Sequence, residues 1–493
     1  MNAARWLIGT AGNTHLCGKE EFYGYAGVAL EYTQSFKNNR LASYFGNKCG
    51  QLVFGASNAT DGTISNPEPG TIKGINWGLT GSGTTCLNAK IQNFIADFQF
   101  WVGLDEWVCG WWADLRLPVA WTKWELNASK GNYSSTTTKY PAPSEQNAVT
   151  LTPVDATEGP DVVYKDIPSA LNGADGFGAV PALKYGRFGK DCNGQTYSGI
   201  PGLRIDLGYD FWREDCGYLG LGFTMIAPTG NRPEAYYLFE PILGAQKNWQ
   251  IGGTLVGGWE MWNCNDEKAL TAYLDATVVT LLKSTQRRLF GVRDGGDLSS
   301  FQLLKQMDND NQLIGLERLA NLATVCGKFR SKVMTDIALM FQYTNCGFVA
   351  DLGYSFWYRS RDEFCGCGSY DLPDDPYGLK GSLPCAGPCA NSTASNSTIF
   401  DPAPADSSAA GCTLTGAANV DTNGNVYLYK ENLTPCPALN PSAWSNKIFG
   451  NLGYQWADCD WQPSLSVFGE VEFGKDNVAL NQWGIGLKGG VAF

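Results

Sequence analysis

The chain is dominated by stretches in which apolar residues occupy every second position. Towards the C-terminus, Gln482 and Lys488 fall between alternating apolar residues, which are Trp483, Ile485, Leu487, Val491 and Phe493. Because successive side chains of a β-strand point to opposite faces, this pattern predicts a strand with one apolar and one polar face. The same alternation predicts twelve strands in all, over 20–35, 91–103, 109–126, 203–212, 216–227, 248–262, 268–283, 331–343, 347–359, 446–456, 463–473 and 479–493.

The connections between these strands alternate between long and short. The long ones are 36–90, 127–202, 284–330 and 360–445, and most of the others are short turns. An up-and-down transmembrane barrel has this asymmetry, with short periplasmic turns and long outer loops. We therefore expect an all-β fold, a transmembrane antiparallel β-barrel of about 12 strands that forms a single domain over 20–493. A periplasmic N-terminal segment, 1–19, is expected to precede it.

Composition agrees with strands that face lipid on one side and water on the other. Aromatic residues make up 13% of the chain and charged residues 17%, below the roughly 25% usual for soluble domains. The sequence contains no run of about 18 apolar residues, the length that spans a bilayer as a helix. The net charge of −12, without a basic block, argues against nucleic acid as a partner.

Charged residues on the polar faces of the predicted strands are expected to line the lumen. They are Asp97, Asp114, Arg116, Arg204, Asp206, Asp210, Asp275, Asp336, Asp351, Glu470, Glu472 and Lys488. Since the interior of a transmembrane barrel is polar, a solvated pore wall is the simplest interpretation, and the excess of acids favours cations. Two alternatives stay open. Arg and Lys opposite Asp and Glu brace a narrow lumen through ion pairs, or paired carboxylates act as in glycosidases.

One amphipathic helix is expected within the loops, over 311–325. Its apolar residues recur at spacings of three and four, at Leu313, Leu316, Leu319, Ala320 and Ala323. This helix either folds into the barrel mouth as a constriction or caps an outer loop.

The 16 cysteines indicate an oxidising compartment and disulfides. On the predicted topology, six lie at the N-terminus or beside a short turn, namely Cys17, Cys109, Cys216, Cys264, Cys346 and Cys459. The other ten lie in outer loops, at Cys49, Cys86, Cys192, Cys326, Cys365, Cys367, Cys385, Cys389, Cys412 and Cys436.

Two neighbour pairings of the six periplasmic cysteines are open. One is Cys17–Cys459, Cys109–Cys216 and Cys264–Cys346, and the other is Cys17–Cys109, Cys216–Cys264 and Cys346–Cys459. Adjacent turns lie roughly 10 Å apart, so they must lean together to bring Cα atoms to bonding distance. The alternative is that these cysteines are unpaired or join neighbouring molecules.

Catalysis is not expected. His15 is the only histidine, and the topology places it in the periplasmic segment, far from the outer leaflet where a barrel phospholipase acts. No Cys/His zinc pattern or haem attachment sequence is present. The stretch 421–425 begins like a calcium loop but lacks its Glu at the twelfth position, so neither a metal nor a cofactor is expected.

The C-terminal strand resembles that of Gram-negative outer-membrane β-barrels, which commonly end in Phe after alternating apolar residues. Phe493, Val491, Leu487 and Ile485 match this pattern. The resemblance implies an outer-membrane location and a strand that the barrel assembly machinery reads. The start of the chain, 1–12, lacks the features of a signal peptide, so we expect that the signal has already been removed.

Two looser resemblances concern other parts of the chain. Its cysteine-rich character resembles the disulfide-braced major outer-membrane proteins of chlamydia-type bacteria. The stretches 95–126 and 479–493 resemble uncharacterised barrels of Dependentiae-type bacteria.

Together these features predict an outer-membrane porin or channel for passive diffusion of ions and small solutes. Lumen width and charge would set its selectivity. The alternative is a structural or adhesive surface protein that uses a disulfide-braced barrel as a membrane anchor. The expected partners are outer-membrane lipid, the barrel assembly machinery and further copies of the chain, as a trimer or a surface lattice.

Overall fold

The computed structural model describes residues 2–17, 22–47, 49–55, 70–79, 81–129, 131–134, 164–178, 180–189, 194–264, 268–293, 297–307, 313–367, 377–379, 428–456 and 461–493. Its α-helices are short: α1 (Ala3–Leu7), α2 (Asn38–Ala42), α3 (Ile167–Asn172) and α4 (Leu319–Leu322). Single 3₁₀ turns occur at Ala11–Asn13, Gly74–Trp77, Ser299–Phe301, Lys430–Asn432 and Cys436–Ala438. No helix within these ranges is long and apolar enough to cross a membrane.

Twelve strands form a closed antiparallel barrel. They are β1 (Tyr23–Ser35), β2 (Gly83–Gly103), β3 (Trp111–Ala128), β4 (Leu203–Glu214), β5 (Gly217–Ala227), β6 (Gln250–Cys264), β7 (Lys268–Leu289), β8 (Thr324–Asn345), β9 (Phe348–Arg359), β10 (Ala443–Gln455), β11 (Gln462–Gly474) and β12 (Gln482–Ala492). Each strand pairs with the next along the chain, and β12 pairs with β1. The predicted barrel of twelve strands is confirmed.

Three strands extend further towards the long loops than predicted. β2 begins at Gly83, β7 runs to Leu289 and β8 begins at Thr324, and the β7–β8 pairing continues to Leu289 opposite Thr324. Short strands add to the sheet or pair among the loops, at Gln51–Gly55, Ile72–Lys73, Gln195–Gly199, Gly291–Val292, Leu303–Met307, Leu313–Arg318, Asp362–Cys367, Tyr377–Leu379 and Leu433–Thr434.

The two faces of the barrel wall differ in chemistry as the alternation predicts. Large apolar side chains point outwards and stay exposed, for example Leu352, Leu452, Ile448 and Ile485. The positions between them point inwards and are buried, Lys488 and Asp351 among them. An apolar outer surface on a closed ring of strands suits a hydrocarbon environment, because each strand pairs its backbone N–H and C=O groups with a neighbour on both sides.

The seam between β1 and β12 closes the ring. Its register runs from Tyr25 opposite Ala492 to Ser35 opposite Gln482. Phe493 continues the ladder, since its N–H donates to the Gly24 carbonyl (3.0 Å) and its own carbonyl accepts from the Gly24 N–H (2.8 Å).

The predicted helix over 311–325 is wrong for most of its length. Leu313–Arg318 is a strand that pairs antiparallel with Leu303–Met307, only Leu319–Leu322 is helical, and β8 begins at Thr324. Burial explains the apolar spacing in another way, because Leu316 and Ala320 pack in one apolar cluster of the loops and Leu319 packs in another. The first residues of the predicted helix, 311–312, lie outside the described residues.

The predicted disulfides gain no support. All ten cysteines whose side chains are described are free, namely Cys17, Cys49, Cys86, Cys109, Cys216, Cys264, Cys326, Cys346, Cys365 and Cys436. Of the first predicted pairing, Cys109–Cys216 and Cys264–Cys346 are not formed. Of the second, Cys17–Cys109 and Cys216–Cys264 are not formed. Geometry accounts for Cys264 and Cys346, because β7 lies between them with Lys268 opposite both Cys264 and Asn345. Outside the described side chains lie Cys192, Cys367, Cys385, Cys389, Cys412 and Cys459.

Candidate functional site

The N-terminal segment lies inside the barrel. We call residues 2–17 the plug. From the sequence, 1–19 is expected to precede the barrel on its periplasmic side, whereas the structure places the described part of this segment in the lumen. Ala3, Ala4 and Ile8 are fully buried. They pack with apolar side chains of the inner wall, including Met340 and Phe468.

The barrel wall holds both ends of the plug helix α1. At its N-terminal end, the Ala3 N–H donates to Asp336 on β8 (3.1 Å). At its C-terminal end, the Lys488 ammonium on β12 donates to the carbonyls of Arg5 (3.0 Å) and Trp6 (3.2 Å). These charges match the polarity of a helix, whose first N–H groups and last carbonyls have no partners within it.

Arg5 anchors the plug to the first two strands. Its Nε donates to Glu31 on β1 (2.6 Å), and its Nη1 donates to Asp97 on β2 (2.9 Å). Burial alone would lower the pKa of Arg5, but the charges of Glu31 and Asp97 outweigh it and hold that pKa above its ordinary value. Asp97 also accepts from the Trp6 indole N–H (3.0 Å). A cation therefore stays fixed between two buried carboxylates.

Trp6 lies against two guanidinium groups of the wall. The Cζ atoms of Arg116 on β3 and Arg204 on β4 lie 3.9 and 4.5 Å from the centroid of its indole ring. Such cation–π contacts contribute about 0.5–2 kcal/mol each.

Each of these arginines is paired with a carboxylate on its own strand. Arg116 Nε donates to Asp114 (2.7 Å), and Arg204 Nε donates to Asp206 (2.6 Å). Asp275 lies 3.8 Å from Arg116 Nη2.

His15 fixes the other end of the plug. Its Nδ1 lies 2.9 Å from an Asp210 oxygen, and its ring stacks on Tyr218 at 4.3 Å between centroids. Trp112 donates its indole N–H to the same carboxylate (3.0 Å). His15 has φ +56°, a left-handed conformation that favours glycine, so these contacts sustain a strained residue.

All twelve charged residues expected at the lumen lie on the inner face. Eleven are buried and Glu472 is half-buried. Glu470 pairs with Lys447 (2.7 Å), and Glu472 accepts from Gln482 (2.6 Å). Asp351 accepts from Gln342 and Asn451, at 3.0 and 2.8 Å. Most of these side chains therefore contact the plug or one another, and their role in lining a pore stays a prediction.

Sequence reasoning did not identify four further charged residues of the lumen: Arg5, Glu31, Arg359 and Lys447. Glu31, Lys447 and Arg359 lie on inward positions of strands that were predicted, so the alternation could have found them. Arg5 precedes the first strand, and nothing in the alternation refers to it.

An internal cavity lies between the plug and the long-loop end of the barrel. Its volume is about 520 Å³. Arg5 and Trp6 of the plug bound it on one side, and Gln246 and Leu480 of two loops bound it on another. We call this cavity the vestibule. Its wall is mixed, with charged residues such as Lys447 beside apolar ones such as Ile226, Leu281, Met334 and Trp357.

Among the residues described, no group of three or more His, Cys, Asp or Glu side chains could hold a metal ion.

Comparison with solved structures finds outer-membrane channels at very low sequence identity. An outer-membrane channel from Pseudomonas putida F1 matches with a TM-score of 0.36 and 9% identity, over 96% of each chain. A FadL homologue from Pseudomonas aeruginosa matches with 0.27 and 10%, over 96% of this chain and 90% of its own. OprB from Pseudomonas putida matches with 0.18 and 9%, over 99% of this chain and 98% of its own.

TM-scores this low carry no argument about function. No protein-family model matches the sequence, and no curated protein matches it. The resemblances to chlamydia-type and Dependentiae-type proteins gain no support.

Proposed function

We propose that the protein is an outer-membrane channel for passive diffusion of ions and small solutes, and that the plug closes it in the conformation described here. The observation that carries this proposal is the vestibule, a cavity of about 520 Å³ inside a closed barrel. Pockets of roughly 300–1,000 Å³ accommodate small molecules.

The outer surface supports the membrane location. Closed β-barrels and helices are the structures that satisfy all their backbone hydrogen bonds in hydrocarbon. Leu221, Phe223, Leu352 and Leu465 present more than half of their surface outside the ring. Outer-membrane lipid is accordingly the proposed environment, and an oligomer or surface lattice stays a prediction.

In this proposal, passage requires the plug to shift. Its charged contacts reach Glu31 on β1, Asp97 on β2, Asp336 on β8 and Lys488 on β12. On this proposal, solutes pass only when those contacts break and the plug moves.

Planar-bilayer recording tests the proposal. We expect the wild-type protein to show rare conductance steps, and the variant Trp6→Ala to show more frequent ones, because it loses the contacts with Arg116 and Arg204. A matched control is Arg232→Ala, which removes an exposed arginine from a loop. Liposome swelling with small sugars checks that solutes pass as well as ions.

A second candidate is a surface protein for which the barrel is only an anchor. The buried ion pairs of the plug favour it, because they tie the plug to two strands of the wall as a permanent seal would require. A correctly folded protein that stays silent in bilayers, both as wild type and as Trp6→Ala, would contradict the channel and favour the anchor.

A further inference from the structure

Two arginines of the vestibule wall keep hydrogen-bond donors free. Arg116 and Arg204 are more than nine-tenths buried, and the Nη1 atom of each has no hydrogen-bond partner among the residues described. Both side chains line the vestibule. Buried donors in folded proteins are almost always satisfied by protein groups, water or a ligand, so two free guanidinium donors at one cavity are the groups that a bound anion would meet.

The two arginines also stand directly opposite each other. Arg116 on β3 pairs by Cα register with Arg204 on β4, and Asp114 pairs in the same way with Asp206. Like charges directly opposite each other across two strands are unfavourable. An anion bound between the two guanidinium groups would offset the repulsion between Arg116 and Arg204.

The carboxylates that neutralise these arginines lie away from the vestibule. Asp114 and Asp206 line a separate cavity of about 40 Å³, together with His15 of the plug, and do not line the vestibule. Of each pair, only the arginine lines the vestibule, although acids predominate among the lumen residues predicted from the sequence. Arg359, on β9, adds another donor, since its Nε is also without a partner within the described chain.

Free acceptors complement the free donors. Asp97 Oδ1 and Gln250 Oε1 line the vestibule, are buried and accept no hydrogen bond from any described residue. A ligand that meets both kinds of group carries an anionic end and, elsewhere, hydroxyl or ammonium donors.

We propose that the vestibule binds a small polar carboxylate, such as a hydroxy acid, whose carboxylate accepts from Arg116 Nη1 and Arg204 Nη1. Its hydroxyl groups donate to Asp97 and Gln250. This inference rests on the proposed function and names the solute class of the channel. This proposal predicts a preference for anions, whereas the excess of acidic residues in the sequence predicts a preference for cations.

Calorimetric titration of the detergent-solubilised protein tests the site, with gluconate as the probe. Sorbitol is the matched control ligand, because it has the same carbon chain and a neutral hydroxymethyl group in place of the carboxylate. We expect saturable binding of gluconate and none of sorbitol. Equal behaviour of the two, or binding of inorganic phosphate without binding of gluconate, overturns the proposal.

Paired substitutions locate the site without leaving a charge buried alone. Asp114→Asn with Arg116→Gln removes one carboxylate and its arginine together, and we expect gluconate affinity to fall by roughly tenfold or more. If this variant does not fold, Arg204→Gln with Asp206→Asn makes the same change on β4. The matched control is Lys123→Gln with Glu125→Gln, an ion pair of the same spacing on β3 that does not line the vestibule.

Unchanged affinity in a folded variant of the first pair, or an equal loss in the control pair, overturns the proposal. Measurements of gluconate binding and of conductance distinguish the proposed binding site from the proposed channel function. A protein that binds gluconate but never conducts would support the proposed binding site and contradict the proposed channel. Conductance without gluconate binding contradicts only the site.

Discussion

Arg5→Ala offers the sharpest test of how the plug is held. The substitution removes the cation between Glu31 and Asp97, which are 0% and 4% exposed. Breaking a buried ion pair by removing one partner costs about 3–5 kcal/mol, because a charge is left buried without compensation. Here two carboxylates lose their shared partner while the plug stays in place.

The cost falls on the closed state alone. Once the plug has moved, water enters the lumen and hydrates both carboxylates. The equilibrium between plugged and unplugged barrel should therefore shift by roughly 10²–10⁴-fold towards the unplugged form. In planar bilayers we expect the fraction of time spent open to rise accordingly, with a step size limited by barrel width.

A triple variant is the control for charge. Arg5→Ala combined with Glu31→Gln and Asp97→Asn leaves no unpaired charge, and replacing both partners of a buried pair is often nearly neutral. It should return the open fraction most of the way to the wild-type value. The reasoning is refuted if Arg5→Ala conducts no more than the wild type, or if the triple variant is as open as the single one.

Three further perturbations probe other parts of the structure. His15→Ala removes one of the two partners of Asp210, a hydrogen bond to a charged group worth about 1.5–3 kcal/mol, and should speed hydrogen exchange in residues 10–17 but not in the barrel strands. Equal exchange in the variant and the wild type would contradict the role of His15. Gly490→Val should destabilise the barrel by about 1–3 kcal/mol, because a Cβ at this position would lie 2.1 Å from Tyr25 Oη. The temperature at which gel mobility changes should fall. Gly489→Ala, whose Cβ would have its nearest atom at 3.8 Å, should leave that temperature unchanged. Leu352→Arg places a charge on the apolar outer face and should reduce the free energy of folding into lipid vesicles by about 2–4 kcal/mol for a residue near the bilayer midplane. Leu352→Val is its control.

Alternation along the chain predicts the barrel well, because it records the two environments that each strand separates. Ile485 and Leu487 face outwards and Lys488 faces inwards as their positions require. The same alternation predicts which residues face inwards, but not which groups those residues contact in the lumen.

The sequence did contain one sign of the plug. Met340, Phe449 and Phe468 occupy inward positions that a water-filled pore would leave to polar residues, and all three pack in the cluster that contains α1. The predicted helix over 311–325 is wrong for most of its length, and the predicted cysteine pairing gains no support, for a related reason. Both depend on spatial partners, such as Leu303–Met307 for Leu313–Arg318, that local spacing does not reveal.

The two ends of α1 also bear on the order of folding. Ala3 and Asp336 are separated by 333 positions, and Arg5 and Lys488 by 483. Contacts between residues so distant along the chain form late, since most of the chain must be in place first. Although the plug precedes every strand, Lys488 reaches it only when β12 has joined the ring. Burial of Trp6 would then be among the last steps of maturation, and the difference in fluorescence between the wild type and Trp6→Phe would report a completed barrel.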